Sequence, residues 1–280
     1  MTSAISAPLE EKPHVTRDFV ESGMIRELWN YRELFYFLAW RDVKVRYKQT
    51  ALGVLWAIIQ PFFTMVIFTV VFGQLANIPS EGIPRPIFYF SALLPWIYFS
   101  STLSNVGMSL VSNSSLLTKI YFPRIILPAS AALSGLLDFL IGSALLVGFI
   151  GYYHLPLTWN LLLWPTLVIP LVLLTFGVGS FLAALNVKYR DIRYAIPFGI
   201  QLWLFITPII YPSSIFPERF RWLLALNPLT GLIEAFRYAL VPTQSVDWNV
   251  LWLSLAATTA IVTMGVAYFR RTEKAFADIV

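Results

Sequence analysis

The chain has 280 residues, 58% hydrophobic and 12% charged, about half the charged share of a soluble globular domain. The apolar residues are gathered into long uncharged blocks, which excludes an ordinary soluble core and points to helices that satisfy their own backbone hydrogen bonds in hydrocarbon. The net charge of +5 does not signal nucleic acid, because the basic residues flank apolar blocks, and the absence of cysteine excludes disulfides, zinc-thiolate sites and thiol catalysis.

Residues 1–24 carry Pro8, Pro13 and several charges without an apolar face, and read as a mobile tail. The first apolar block begins only at Gly53, after a charge-rich stretch, so no cleavable leader is expected and the amino terminus should be retained. Residues 25–52 mix Trp29, Tyr31, Phe35, Phe37 and Trp40 with Arg32, Arg41, Lys44, Arg46 and Lys48, the composition of an amphipathic helix lying along the inner membrane surface.

Six spans are expected within 53–270, at about 53–75, 87–110, 126–150, 161–185, 195–211 and 250–269. The first is uncharged and would reach ~34 Å, with a kink at Pro61. The fifth is the shortest and is interrupted by Pro197 and Pro208. Residues 212–249 are too long for a turn and too apolar for a free loop. They contain two short apolar pieces, 222–226 and 229–240, with Asn227 as cap and Pro228 in the first turn of the second. These read either as half-length re-entrant helices packed on protein or as helices lying flat on the outer interface.

Basic residues fix the orientation. Arg41, Lys44, Arg46 and Lys48 precede the first span, Lys119 and Arg124 follow the second, Lys188, Arg190 and Arg193 follow the fourth, and Arg270, Arg271 and Lys274 follow the last. The opposite side is poorer in Lys and Arg, so both termini, including the tail 271–280, are expected in the cytoplasm. Six spans satisfy that parity.

No set of residues for catalysis stands out. His14 and His154 are isolated, and no phosphate-binding G-x-x-x-x-G-K-[ST] loop is present, so the chain reads as a non-enzyme and any use of ATP falls to another subunit. Asp138 is the one ionisable residue well inside a span. It reads as a packing residue, protonated or bonded to Ser or Thr hydroxyls, with a proton-coupled carrier as the alternative. Glu234 and Arg237, three apart on a helix, are expected to pair. Residues 113–124 predict a short helix capped by Asn113, Ser114 and Ser115, whose Leu116, Leu117 and Ile120 form an apolar docking ridge in the cytoplasm. Among the abundant aromatics, Trp56, Phe62, Trp96, Tyr98, Trp203 and Tyr211 are candidates to line a pore, where flat rings give sliding sugar faces few deep hydrogen-bond traps.

Three stretches carry a resemblance. Trp40-Arg41-Asp42-Val43-Lys44-Val45-Arg46-Tyr47-Lys48-Gln49-Thr50-Ala51-Leu52-Gly53 is continued by Trp56 and Pro61; Asn186-Val187-Lys188-Tyr189-Arg190-Asp191-Ile192 follows the fourth span; and Asn227-Pro228-Leu229-Thr230-Gly231 is joined by Glu234, Ala235, Phe236 and Arg237. In order and spacing these resemble the membrane permeases of ATP-binding-cassette exporters for O-antigen, capsule and teichoic acid. The resemblance implies an all-α homodimer in the bacterial inner membrane, with a pore between its six-span subunits. Two copies of a separate ATPase would drive it, holding the ATP and Mg, and no cofactor would bind this chain. It further implies that Arg41, Asp42, Lys44 and Arg46, with Ser114, Leu116, Leu117 and Ile120, couple to the ATPase. Trp222, Asn227, Pro228, Glu234 and Arg237 would belong to an outer gate. The cargo would be a polysaccharide, with or without its lipid carrier, and a drug or a lipid is the rival cargo for the same layout.

Overall fold

The structure, a computed structural model, describes residues 24–48, 52–156, 158–240 and 247–273. The expected tails, residues 49–51 of the first stretch, and position 157 lie outside the described residues in whole or nearly so, as do 241–246. Every regular element described is helical.

The expected interfacial helix is two helices, α1 (Met24–Asn30) and α2 (Arg32–Lys48), meeting at Tyr31. Leu38 is their buried apolar anchor. The chain then turns at Gly53, whose φ of +50° is a left-handed conformation that glycine adopts at little cost. It enters a continuous helical stretch, Gly53–Leu75. Its centre is α3 (Trp56–Phe68), which carries the buried Pro61, and its C-terminal end widens into a π-helical segment, Thr69–Leu75.

α4 (Arg85–Ser112) starts with Pro86 in its first turn, where a missing N–H costs no hydrogen bond, and returns across the bundle. A short helix, α5 (Ser114–Lys119), leads into the third span. That span is α6 (Ile126–Ser134) followed by α7 (Leu136–Tyr152), separated at Gly135. The fourth span combines a 3₁₀ turn, Trp159–Leu162, with α8 (Leu163–Lys188).

Among the described residues, five helical stretches are long and apolar enough to cross a bilayer: Gly53–Leu75, Arg85–Ser112, Ile126–Tyr152, Trp159–Lys188 and Trp248–Glu273. The expected span at 195–211 is instead α9 (Ile192–Ile206), 15 residues long, which reaches only ~22 Å against a hydrocarbon core of ~30 Å. It stops at Thr207 because the residue before Pro208 is pushed out of the helical region, and Thr207 has ψ 136°. Beyond it, Thr207, Ile209 and Ile210 continue as buried irregular backbone. Two further helices, α10 (Glu218–Ala225) and α11 (Pro228–Leu240), precede α12 (Trp248–Glu273).

The centre of the subunit is α4 and α8, with α11 packed against both and against α12. α8 meets α12 where Gly177 faces Gly265; a Cβ on Gly177 would come within 2.7 Å of the Val262 Cα, so only glycine permits this approach. The same helix order leaves other faces open. In the apolar stretches of the second and fourth spans 78% and 56% of residues are buried, but in those of the first and last only 11% and 22%.

Candidate functional site

On the side assigned to the cytoplasm, the interfacial helices are tied to the bundle by charge. The Arg41 guanidinium bonds Asp42 at 2.8 Å and reaches the Asn113 side-chain oxygen at 2.9 Å, while the Asn113 amide donates to the Ser109 carbonyl at 2.8 Å. Asn113 therefore does not cap α5 with its side chain, as its type suggested; the long guanidinium of α2 takes the oxygen first. Two coupling candidates, Arg41 and Asp42, thus pair with each other, whereas Lys44 is exposed over the Trp40 ring, 5.6 Å from its centroid.

The expected apolar ridge changes composition. Leu116 and Leu117 are half-buried and pack inward on the core that contains Leu110 and Phe122. Helix α5 ends at Lys119, so the chain turns outward there and Ile120 is 53% exposed, with exposed Tyr121 beside it. Ser114 stays half-buried at the start of α5.

Sequence inspection did not single out the polar cluster beneath this loop. Glu27, almost fully buried, accepts from Arg270, and Arg270 also meets Glu273 at 3.5 Å. The Arg124 backbone N–H donates to the Glu273 carboxylate at 3.0 Å, and its guanidinium reaches the Glu273 carbonyl. Helix α1, the α5–α6 loop and the end of α12 are thereby joined. The only trace in the sequence is the Arg270/Glu273 spacing of one helical turn, since the other partners are far apart in the chain.

Asp138 is corrected in its partner. Its carboxylate bonds Arg46 of α2, not a Ser or Thr hydroxyl, and its second oxygen, Oδ1, has no hydrogen-bond partner among the described residues. A charge compensated by a fixed arginine is a poor proton carrier. Beside this pair lies a cavity of about 210 Å³ between the start of the first span and α4, with Trp56, Gln60 and Ser101 in its wall.

At the opposite end, α11 is buried on nearly all sides, with only Glu234 and Tyr238 partly open. A helix lying flat on a surface would leave one face exposed. Asn227 anchors its start: its side-chain oxygen receives the Trp203 indole N–H at 2.9 Å and the Leu229 N–H at 3.1 Å, and its amide donates to Thr207 at 2.9 Å. Asn227 and Pro228 are buried, whereas Trp222 on α10 is exposed.

The expected Glu234–Arg237 pair is not formed among the described residues. Arg237, only 2% exposed, instead spans to the neighbouring elements, donating to the Ile209 carbonyl at 2.9 Å and lying 3.9 Å over the Phe88 ring centroid. The guanidinium is directed across to the segment after α9 and to α4, and its carbonyl and ring-face partners come from there. Glu234 Oε1 is left without a hydrogen-bond partner among the described residues.

The aromatic candidates divide. Trp96 and Tyr98 are core residues, 6% and 2% exposed, and the Tyr98 hydroxyl donates to the Ala132 carbonyl at 2.7 Å; Tyr98 also forms part of the wall of the cavity beside Asp138. Phe62 and Trp203 pack partly into the core, and the Tyr211 hydroxyl turns back to the Phe205 carbonyl at 2.9 Å. Trp56 alone of the six is half exposed. Further open rings are Phe63 on α3 and Tyr194, Phe198 and Phe205 on α9.

Residues 33–241 match the family model for the ABC-2 type transporter. The chain is 32% identical to the O-antigen export system permease protein RfbA of Myxococcus xanthus, over 91% of this chain and 98% of that protein. It is 30% identical to a protein of the same name from Klebsiella pneumoniae, over 85% and 92%. The polysialic acid transport protein KpsM of Escherichia coli is 27% identical over 84% and 92%.

Proposed function

Because the chain belongs to the ABC-2 type transporter family, we propose that it is the permease subunit of an exporter that moves a cell-surface polysaccharide, of O-antigen or capsule type, across the bacterial inner membrane. The observation that carries this reading is similarity along almost the whole chain to relatives named for O-antigen export and polysialic acid transport. The chain supplies the membrane path, and a separate ATPase binds ATP and Mg and does the hydrolysis.

The geometry supports a division of labour. The open faces of α9 and α12 suit a second copy and a conduit between two subunits, with Phe198 and Phe205 as rings available to the cargo. The buried α11 serves as a half-length helix of the outer gate, held by Asn227 and Arg237. On the cytoplasmic side Ile120 is the contact for the ATPase. Motion of the ATPase would pass through α5 to α4, which directly precedes it in the chain, and through Arg41 to α2.

Deletion of this chain should leave the polysaccharide inside the cell, and restoring it should return the polymer to the surface. Normal surface polymer in the deletion strain would defeat the reading. Ile120→Asp should place the permease in the membrane at a normal level while reducing copurification of the ATPase at least about tenfold, because a charge replaces the apolar contact.

A further inference from the structure

The cavity beside Arg46 and Asp138 has features of a ligand site separate from any path between subunits, since it lies inside one subunit, between the start of the first span and α4. Its polar wall contains one fixed cation and one fixed anion. Arg46 gives one N–H group to Asp138 Oδ2 and its guanidinium has further donors, while Asp138 Oδ1 is buried and without a hydrogen-bond partner among the described residues. Gln60 adds an amide, and the Ser101 hydroxyl, which donates to the Ile97 carbonyl at 2.7 Å, keeps its oxygen free to accept.

The charge pattern selects the occupant. A purely anionic group would be drawn by Arg46 but repelled by Asp138, and a purely cationic one the reverse. A group with phosphate and primary ammonium on adjacent atoms satisfies both, and its N–H donors are what Asp138 Oδ1 lacks. The volume, about 210 Å³, equals that of roughly seven waters of the liquid, room for a phosphate and a short amine arm. Trp56 in the wall is half exposed, and the exposed apolar residues close to it in the chain, Leu52, Val54, Leu55 and Phe63, offer a track for acyl chains. A free phosphate compound would leave that face unused.

We propose that this cavity holds the head of a membrane phospholipid bearing both phosphate and primary amine, with the phosphate on Arg46 and the amine on Asp138. The site is a lipid site of the single subunit and stands independently of the exported cargo.

The test uses the full chain with its copurifying ATPase, placed in nanodiscs of phosphatidylcholine doped with equal traces of phosphatidylethanolamine and phosphatidylglycerol, and reads retained lipid by native mass spectrometry. The wild type should retain phosphatidylethanolamine about tenfold over phosphatidylglycerol, and Asp138→Asn should abolish that preference. Ala57→Leu, which fills the cavity and leaves the ion pair intact, should remove retention while the melting temperature in phosphatidylcholine alone stays unchanged; it also serves if Asp138→Asn fails to fold. Equal retention of the two lipids overturns the proposal. So does a preference untouched by both variants, phosphatidylcholine held as firmly as phosphatidylethanolamine, or a bound mass that is a polyprenyl phosphate glycan.

Discussion

Arg237 shows how one side chain can hold several elements at once. From α11 it reaches the Ile209 carbonyl, beyond α9, and the Phe88 ring on α4. Truncation removes a charged hydrogen bond and a desolvated ring contact together, so Arg237→Ala should cost about 3 kcal/mol. Arg237→Met, which refills the volume without an ion to desolvate, should cost less than Arg237→Ala. Thermal melting of the purified protein checks both; equal melting points for wild type and Arg237→Ala would contradict the assignment. Asp138 is a milder case. Both members of its pair with Arg46 are about one-quarter exposed, so solvent screens the attraction, and Asp138→Ala should cost on the order of 1 kcal/mol. At this scale residue type was a good guide to where charge is costly and a poor guide to its partner. Asp138 was visible as a charge among apolar residues, but Arg46 stands 92 positions away.

Among the elements, α11 depends on glycine. A Cβ at Gly231 would lie 2.8 Å from the Val250 carbonyl oxygen and 2.9 Å from the Leu251 Cα, both backbone atoms that cannot swing aside. Gly231→Leu should therefore separate α11 from α12 at a cost of about 1–3 kcal/mol and impair export before it impairs membrane insertion. A melting temperature and export rate equal to wild type would show that α11 has room to shift. The helix itself was legible from its Asn-Pro start and its apolar run. Its burial was not, because an apolar run lies as readily against lipid as against protein. The α5 loop repeats the lesson. Leu116, Leu117 and Ile120 are alike in hydropathy, yet only the turn after Lys119 leaves Ile120 open.

For the whole molecule, the lack of cysteine makes topology directly measurable. A single cysteine at exposed Lys119 should react with an impermeant thiol reagent only from the cytoplasmic side, and one at Trp159, 88% exposed, only from the outer side. Labelling of both from one side would remove the crossing between them, and labelling of each only from the opposite side would reverse the assigned orientation.

Composition alone settled that the protein is a helical membrane protein, because uncharged blocks this long can only be accommodated where every backbone group is paired within its own helix. The three quoted stretches carried its family, and the basic span ends its expected orientation. Tertiary structure decided which of several equivalent apolar faces turns inward, where α9 stops, and which partners the isolated charges of Arg46, Asp138 and Arg237 meet. Those outcomes rest on contacts between residues far apart in the chain, and neither local propensity nor periodicity encodes such distances.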